Sequence, residues 1–193
     1  MYAKVENNQV VKVNSSLASF SKAAPAWDAA QRAANGIYEV EYDTANLKDT
    51  RFYINGAESF TFANDKVIAS YAPAVGKSLV DVNAVDENNQ PVLDDEGNQV
   101  VIPGLKTIEK NQIKAQAGGL LQSTDWYVVR KAETGTEIPA DVAAYRTAVR
   151  AKSNEMETAI DGAASVEALE ALFTYTIGAN DVSSRPLGQF PKL

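Results

Sequence analysis

Alternating apolar and polar positions dominate the first seventy-odd residues. Residues 2 to 13 place YAKVE and QVVKV on either side of Asn7-Asn8. Asn tolerates the positive φ that a tight two-residue turn demands, so the chain is predicted to open as a β-hairpin. Pro25 then leads into AWDAAQRAANG, a short helical pattern with Pro near its start and Gly36 just past its end. In IYEVEY, residues 37 to 42, the alternation sets Tyr38, Val40 and Tyr42 against Ile37, Glu39 and Glu41, and the aromatic face is expected to meet the core. TRFYI and ESFTFA flank Asn55-Gly56, the strongest short hairpin signal in the chain, and KVIASYA follows an Asn64-Asp65 turn. These segments predict a meander of local hairpins crossed by one helix, with no parallel βαβ units.

The pattern changes at residues 76 to 104, where GKSLVDVNAVDENNQPVLDDEGNQVVIPG is polar and turn-rich, with apolar pairs bracketing NNQP and DDEGN. It reads as an extended arm or hairpin with a mobile tip. Helical spacing then takes over. Leu105, Ile108, Ile113, Ala117, Leu120 and Leu121 roughly follow helical spacing, and Gly118-Gly119 should weaken or kink that helix. Thr124 or Asp125 is placed to cap a short helix ending near Gly135. Ile138-Pro139 opens the best helix, with Val142, Tyr145, Val149, Met156 and Ile160 along one stripe. Ser165 caps a last short helix carrying Val166, Leu169 and Leu172. From Thr174 onward, Pro186 and Pro191 interrupt a stretch without helical period that should lie extended. The expectation is an α+β chain: an antiparallel β meander with one short helix over 1–75, an extended arm over 76–104, a small helical domain over 105–173 and an extended C-terminal tail over 174–193.

Composition narrows the chemistry. There is no cysteine and no histidine among the 193 residues, which removes disulfide frameworks, thiol nucleophiles, zinc clusters, His general bases and Ser-His-Asp triads. A chain without cysteine suits folding in a reducing cytoplasm. Net charge is −7 and the acidic excess is spread along the chain. A nucleic-acid binder needs a basic face, and the nearest approach is Arg146, Arg150 and Lys152 on one predicted helix. The N-terminus lacks the basic region and apolar run of a signal peptide, and no stretch approaches a membrane span. Asp94 to Asn98 invites a calcium-loop reading, but the alternating ligands and closing glutamate of an EF-hand are missing, and a solvated turn accounts for the residues. No phosphate loop or nucleophile elbow occurs, and nothing singles out a carboxylate pair for glycoside cleavage. The reading is non-enzymatic, with no cofactor, no nucleic acid and no membrane.

The segment from Leu120 to Arg150, LLQSTDWYVVRKAETGTEIPADVAAYRTAVR, is the most distinctive. Its residues are accounted for by a core of Trp126, Val129, Tyr145 and Val149 between two helices, with Asp125 as a cap and Arg130, Arg146 and Arg150 solvated. Beyond that, Leu-Leu, Thr-Asp-Trp, and a Pro-started helix holding Tyr-Arg and a second Arg, in this order, resemble the C-terminal region of tail-fibre assembly proteins and related tail proteins of tailed bacteriophages. The opening Tyr-Ala-Lys-Val-Glu-Asn followed by Val-Val is similar to the start of such proteins in marine and cyanobacterial phages. Residues 14 to 104 match no pattern of that family. The resemblance implies a virion tail protein made in the host cytoplasm, whose partners are other phage tail or fibre subunits in a symmetric assembly. A transient assembly chaperone and a host-glycan-binding module using Trp27, Trp126 and tyrosines as platforms are the alternatives. Exposed extended segments with alternating apolar residues add strands to partner sheets. The candidate interface residues are accordingly Val100, Val101 and Ile102 in the arm, and Leu187 and Phe190 in the tail.

Overall fold

The computed structural model describes residues 1–178 and 183–193 and divides the chain into two units, Met1–Gly76 and Lys77–Leu193. The protein is α+β, with its five-stranded sheet in the first unit and its long helices in the second.

In the first unit, β1 (Tyr2–Glu6) and β2 (Gln9–Asn14) form the expected hairpin, turning through Asn7 and Asn8 at φ of 51° and 62°. A six-residue helix, α1 (Ala29–Ala34), starts at Asp28, whose carboxylate accepts from Gln31 N while the Gln31 side chain accepts from Asp28 N. Pro25 lies apart from it, in a 3-10 turn over Ala24–Ala26. Five strands follow: β3 (Ile37–Tyr42), β4 (Tyr53–Ile54), β5 (Glu58–Ala63), β6 (Lys66–Tyr71) and β7 (Val75–Gly76). The sheet order is β2-β1-β3-β6-β5, and its outer strands β2 and β5 approach each other as the sheet curls. Ala3, Val5, Val40, Val67 and Ala69 fill its inner side, with Tyr38, Phe60 and Phe62 packed around them.

Three expectations for this unit are corrected. β3 and β6 run parallel, Val40 opposite Val67, so the sheet is not a simple meander. Alternation reports which face a side chain takes, not which strand lies beside it. Asn55-Gly56 is not a hairpin turn, because β4 pairs with β7 rather than β5. The Asn55 side chain instead bonds both N and O of Lys48, at 2.9 and 3.0 Å, and a Cβ on residue 56 would run into the Ala72 backbone. Tyr42 is exposed and Ile37 is buried beside α1, so β3 is covered on both sides at its start and bare at its end.

In the second unit, β8 (Val82–Asn83) and β9 (Val101–Ile102) pair antiparallel at the base of the arm. The helices are α2 (Leu105–Gln122), α3 (Asp125–Thr134), α4 (Ala140–Gly162) and α5 (Val166–Phe173). β10 (Thr176–Ile177) and β11 (Ser183–Ser184) form a small pair after them. α2 packs along α4, burying Leu105, Ile113 and Ala117 against a stripe in which Val142, Tyr145, Val149, Met156 and Ile160 are all buried, as the spacing predicts. Ser165 caps α5, its hydroxyl accepting from Ala168 N at 3.1 Å. α2 passes through Gly118-Gly119 and runs on to Gln122, because Leu120 and Leu121 beyond the glycines pack onto the Ala117, Tyr145 and Val149 cluster. Among the described residues no helix is long and apolar enough to cross a membrane.

Candidate interaction surfaces

The residues of the distinctive segment converge on one guanidinium. Arg146, on the inward side of α4, is 7% exposed. Its Nη1 donates to Leu121 O at 3.0 Å and to the Thr124 hydroxyl at 2.6 Å, and its Nη2 pairs with Asp125 at 2.8 Å. Thr124, itself buried, donates its hydroxyl to Leu121 O at 2.8 Å. The C-terminal carbonyls of a helix are unpaired and carry partial negative charge, so a cation placed there both satisfies and stabilises them. Arg146 therefore clamps the corner where α2 gives way to α3. Two readings of these residues are corrected: Arg146 is not solvated, and neither Thr124 nor Asp125 caps α3 with its side chain.

The clamp leaves Trp126 outside. Trp126 is 52% exposed and Val129 53%, so neither belongs to the core with Tyr145 and Val149. Helical geometry explains the difference: once Thr124 and Asp125 face Arg146, the following residue on α3 turns away from α4. Trp126 stacks on Tyr127 with ring centroids 4.1 Å apart, and the Arg130 guanidinium lies 4.6 and 5.3 Å from the two rings. Arg130 Nε is buried in this stack without a hydrogen-bond partner. The result is an aromatic and cationic shelf on α3 that the fold does not cover.

The arm is a folded device rather than an extended strand pair. Asp86 and Asp94, eight residues apart, each build the same turn. Asp86 N donates to Gln90 O and Asp94 N to Asn98 O, at 2.9 and 2.8 Å. Each carboxylate accepts two backbone amides, from Asn88 and Gln90 in the first turn and from Glu96 and Asn98 in the second, at 2.8 to 3.0 Å. Each turn also has one residue at positive φ, Asn89 and Gly97. The two turns are joined by a ring of backbone bonds: Ala84 N to Val100 O, Val92 N to Ala84 O, and Val100 N to Val92 O, at 2.8, 3.0 and 2.9 Å. Gln99 Nε2 donates into the same three carbonyls at 2.8, 3.1 and 3.1 Å. The eight-residue spacing of Asp86 and Asp94, of Asn89 and Gly97, and of Val92 and Val100 is the sequence signal for this tip. It marks Gln99 and the ring as a feature that periodicity at 2.0 or 3.6 residues passes over.

The base of the arm is tied to α2. Gly104 N donates to the Asp81 carboxylate at 2.8 Å, while Leu105 N and Lys106 N donate to Ser78 O and Leu79 O at 2.9 and 3.1 Å. Three of the free amides of the helix start are thus satisfied from the preceding loop. A Cβ at position 104 would run into the Val80 backbone, so glycine is required for this approach. The bond from Gly104, with further help from the Thr107 side chain and Lys110, holds the Asp81 carboxyl below its ordinary range. The Asp94 carboxyl is lowered chiefly by the backbone amide of Asn98.

The five candidate interface residues separate into two groups. Val101 and Ile102 are exposed and Val100, whose backbone is part of the ring, is half-buried. Leu187 is 2% exposed, with its N–H bonded to Leu172 O at 3.0 Å, and Phe190 packs on the Ala117, Tyr145 and Val149 cluster. The described part of the tail thus lies on its own unit, and its two apolar residues are taken up there. Residues 179 to 182 of the expected tail fall outside the described residues. Trp27 is half-buried. In the first unit, a cavity of about 410 Å³ beside α1 gathers Arg32, Glu39 and Asp65. Comparison with family models, with curated proteins and with solved structures finds no match for this chain.

Proposed function

We propose that the chain is a non-enzymatic tail-associated protein of a tailed bacteriophage, structural or assembly-directing, that binds fibre or baseplate subunits. The observation that carries this reading is the fate of the Thr-Asp-Trp and Tyr-Arg residues. Thr124, Asp125, Tyr145 and Arg146 build the corner of the fold, while Trp126, set among them in sequence, stays half-exposed beside Tyr127 and Arg130. A large aromatic held on a helix and left half-exposed is the kind of residue that anchors protein interfaces. Exposed apolar side chains on the arm add a second surface of the same kind.

The test is co-expression with the product of the adjacent fibre or baseplate gene. The two proteins are expected to co-elute, and Trp126→Ala should weaken the complex while the chain keeps its helical circular dichroism. Failure of the folded chain to associate with any tail protein of its phage overturns the reading. A mass-spectrometric inventory of purified particles then separates a retained structural subunit from a chaperone that leaves before completion. The exposed Trp126 shelf also favours a second reading, a host-glycan-binding module, since an indole face accepts a sugar ring. Saturation-transfer NMR with host surface glycans, abolished by Trp126→Ala, would select it.

A further inference from the structure

We infer that the arm is a preformed plug for a different subunit, one that offers an apolar seat ringed by lysines or arginines; this rests on the partner-binding role proposed above and names the chemistry of the partner. Three observations point the same way. Val80, Val82, Val85, Leu93, Val101 and Ile102 are all exposed within a stretch of 23 residues. Such a patch on a soluble protein marks a contact surface. The same stretch carries Asp86, Glu87, Asp94, Asp95 and Glu96, all exposed. With Asp81 and Lys77 counted, residues 77 to 104 carry −5 of the chain's −7, leaving −2 for the other 165 residues.

That charge division chooses between partners. A second copy of the chain would bring two acidic arms together, or set an arm against a remainder that is itself weakly acidic, and like charges placed face to face weaken an interface. Of the three residues nearest to a basic cluster on the remainder, Arg146 is paired with Asp125 and Lys152 with Glu155, which leaves Arg150 with a single long bond to Arg146 O. A basic-rimmed partner meets attraction at the rim and burial at the centre, the usual anatomy of a protein interface. The two turns and the ring of three backbone bonds fix the tip before it docks, so little ordering entropy opposes binding. The expected strand addition by a mobile arm is thereby replaced with insertion of a shaped tip.

The full chain tests this with two short fluorescent amphipathic peptides, one built of leucine and lysine, the other with glutamate for every lysine. The lysine peptide should bind, more weakly as salt rises, and the glutamate peptide should not. Glu87→Gln/Asp95→Asn/Glu96→Gln leaves both turn aspartates in place and should weaken binding about tenfold, each exposed charge contributing a factor of about two. Val85→Ser/Leu93→Ser/Ile102→Ser should abolish it. Equal binding of both peptides, or full binding by the serine variant, overturns the plug. So does self-association of the parent chain that the serine variant loses, because a second copy is then the occupant. Peptide binding with these signatures alongside failed co-elution with tail proteins rejects the phage reading and leaves the plug standing; the reverse pattern rejects the plug alone.

Discussion

A guanidinium withdrawn from water needs nearly all of its donors engaged, and Arg146 engages two protein oxygens and a carboxylate at the one place where α2 exposes unpaired carbonyls. Arg146→Ala should therefore destabilise the chain by about 2 to 3 kcal/mol, the range for losing hydrogen bonds to a charged group with polar atoms left buried. Arg146→Lys keeps the charge but not the fork and should recover only part of the loss in urea unfolding. A variant that unfolds with the parent would mean the clamp adds nothing. Trp126→Ala presents the opposite case. Half-exposed, the indole gives up mainly its contact with Arg130, so the loss should be about 1 kcal/mol or less; a loss of core size, about 3 kcal/mol or more, would place it inside after all. The order of Thr, Asp, Trp, Tyr and Arg was legible in the sequence, but the division of labour was not. Tyr145 and Arg146 are neighbours on a helix, and which flank of a stripe is covered depends on where the previous helix ends.

At the scale of elements, the long helices and the first hairpin were legible because their signals are local: a 3.6-residue stripe on α4, and two asparagines able to take positive φ between β1 and β2. The parallel pairing of β3 with β6 and the pairing of β4 with β7 depend on long connections, for which no short-range pattern exists. The hairpin expected at the arm is present at its base, in β8 and β9, but the order of its tip was not legible for a different reason. Its order comes from side-chain and backbone hydrogen bonds within turns, where hydrophobic periodicity is silent. Its stability should follow pH accordingly. The Asp81 and Asp94 carboxyls are lowered from 3.8 in the folded chain, so ionisation favours the fold. Their contribution is complete above that value and is lost as pH falls through the folded value. An NMR titration of the Gly104 and Asn98 amides should show midpoints below 3.8; midpoints at or above it would detach these carboxylates from the arm. Gln99→Ala should speed amide exchange at Ala84, Val92 and Val100 about tenfold, as expected for losing roughly one hydrogen bond's worth of local stability, without moving the global melt. Unchanged exchange would show that the ring closes without the glutamine.

At the scale of the whole molecule, the C-terminal residues belong to the body of their unit. Leu187 is almost completely buried, so Leu187→Ala should cost about 2 to 5 kcal/mol in equilibrium unfolding, the range for a core leucine. A truncation removing residues 183–193 should lower the melting temperature as well. An unchanged melt would return the tail to the role of a free binding segment. The extended path expected from Pro186 and Pro191 is corrected: β10 and β11 pair and Pro186 sits in a turn closed by Gly188 N on Arg185 O, because the segment folds back to seat Leu187 and Phe190 on its own unit. The arm differs in one respect that bears on how such a protein changes over time. Val82 and Ile102 face each other across β8 and β9, so the chain leaves the body and re-enters it at one point. Everything between them is a cassette with adjacent ends. Its two turns, over 86–90 and 94–98, repeat one geometry at a spacing of eight residues, and a third could be gained or one lost by a short tandem copying event while α2 keeps its start on Gly104. A lineage confronted with an altered partner could thus rewrite the tip wholesale, by exchange or by repeat number, and leave the helical scaffold untouched.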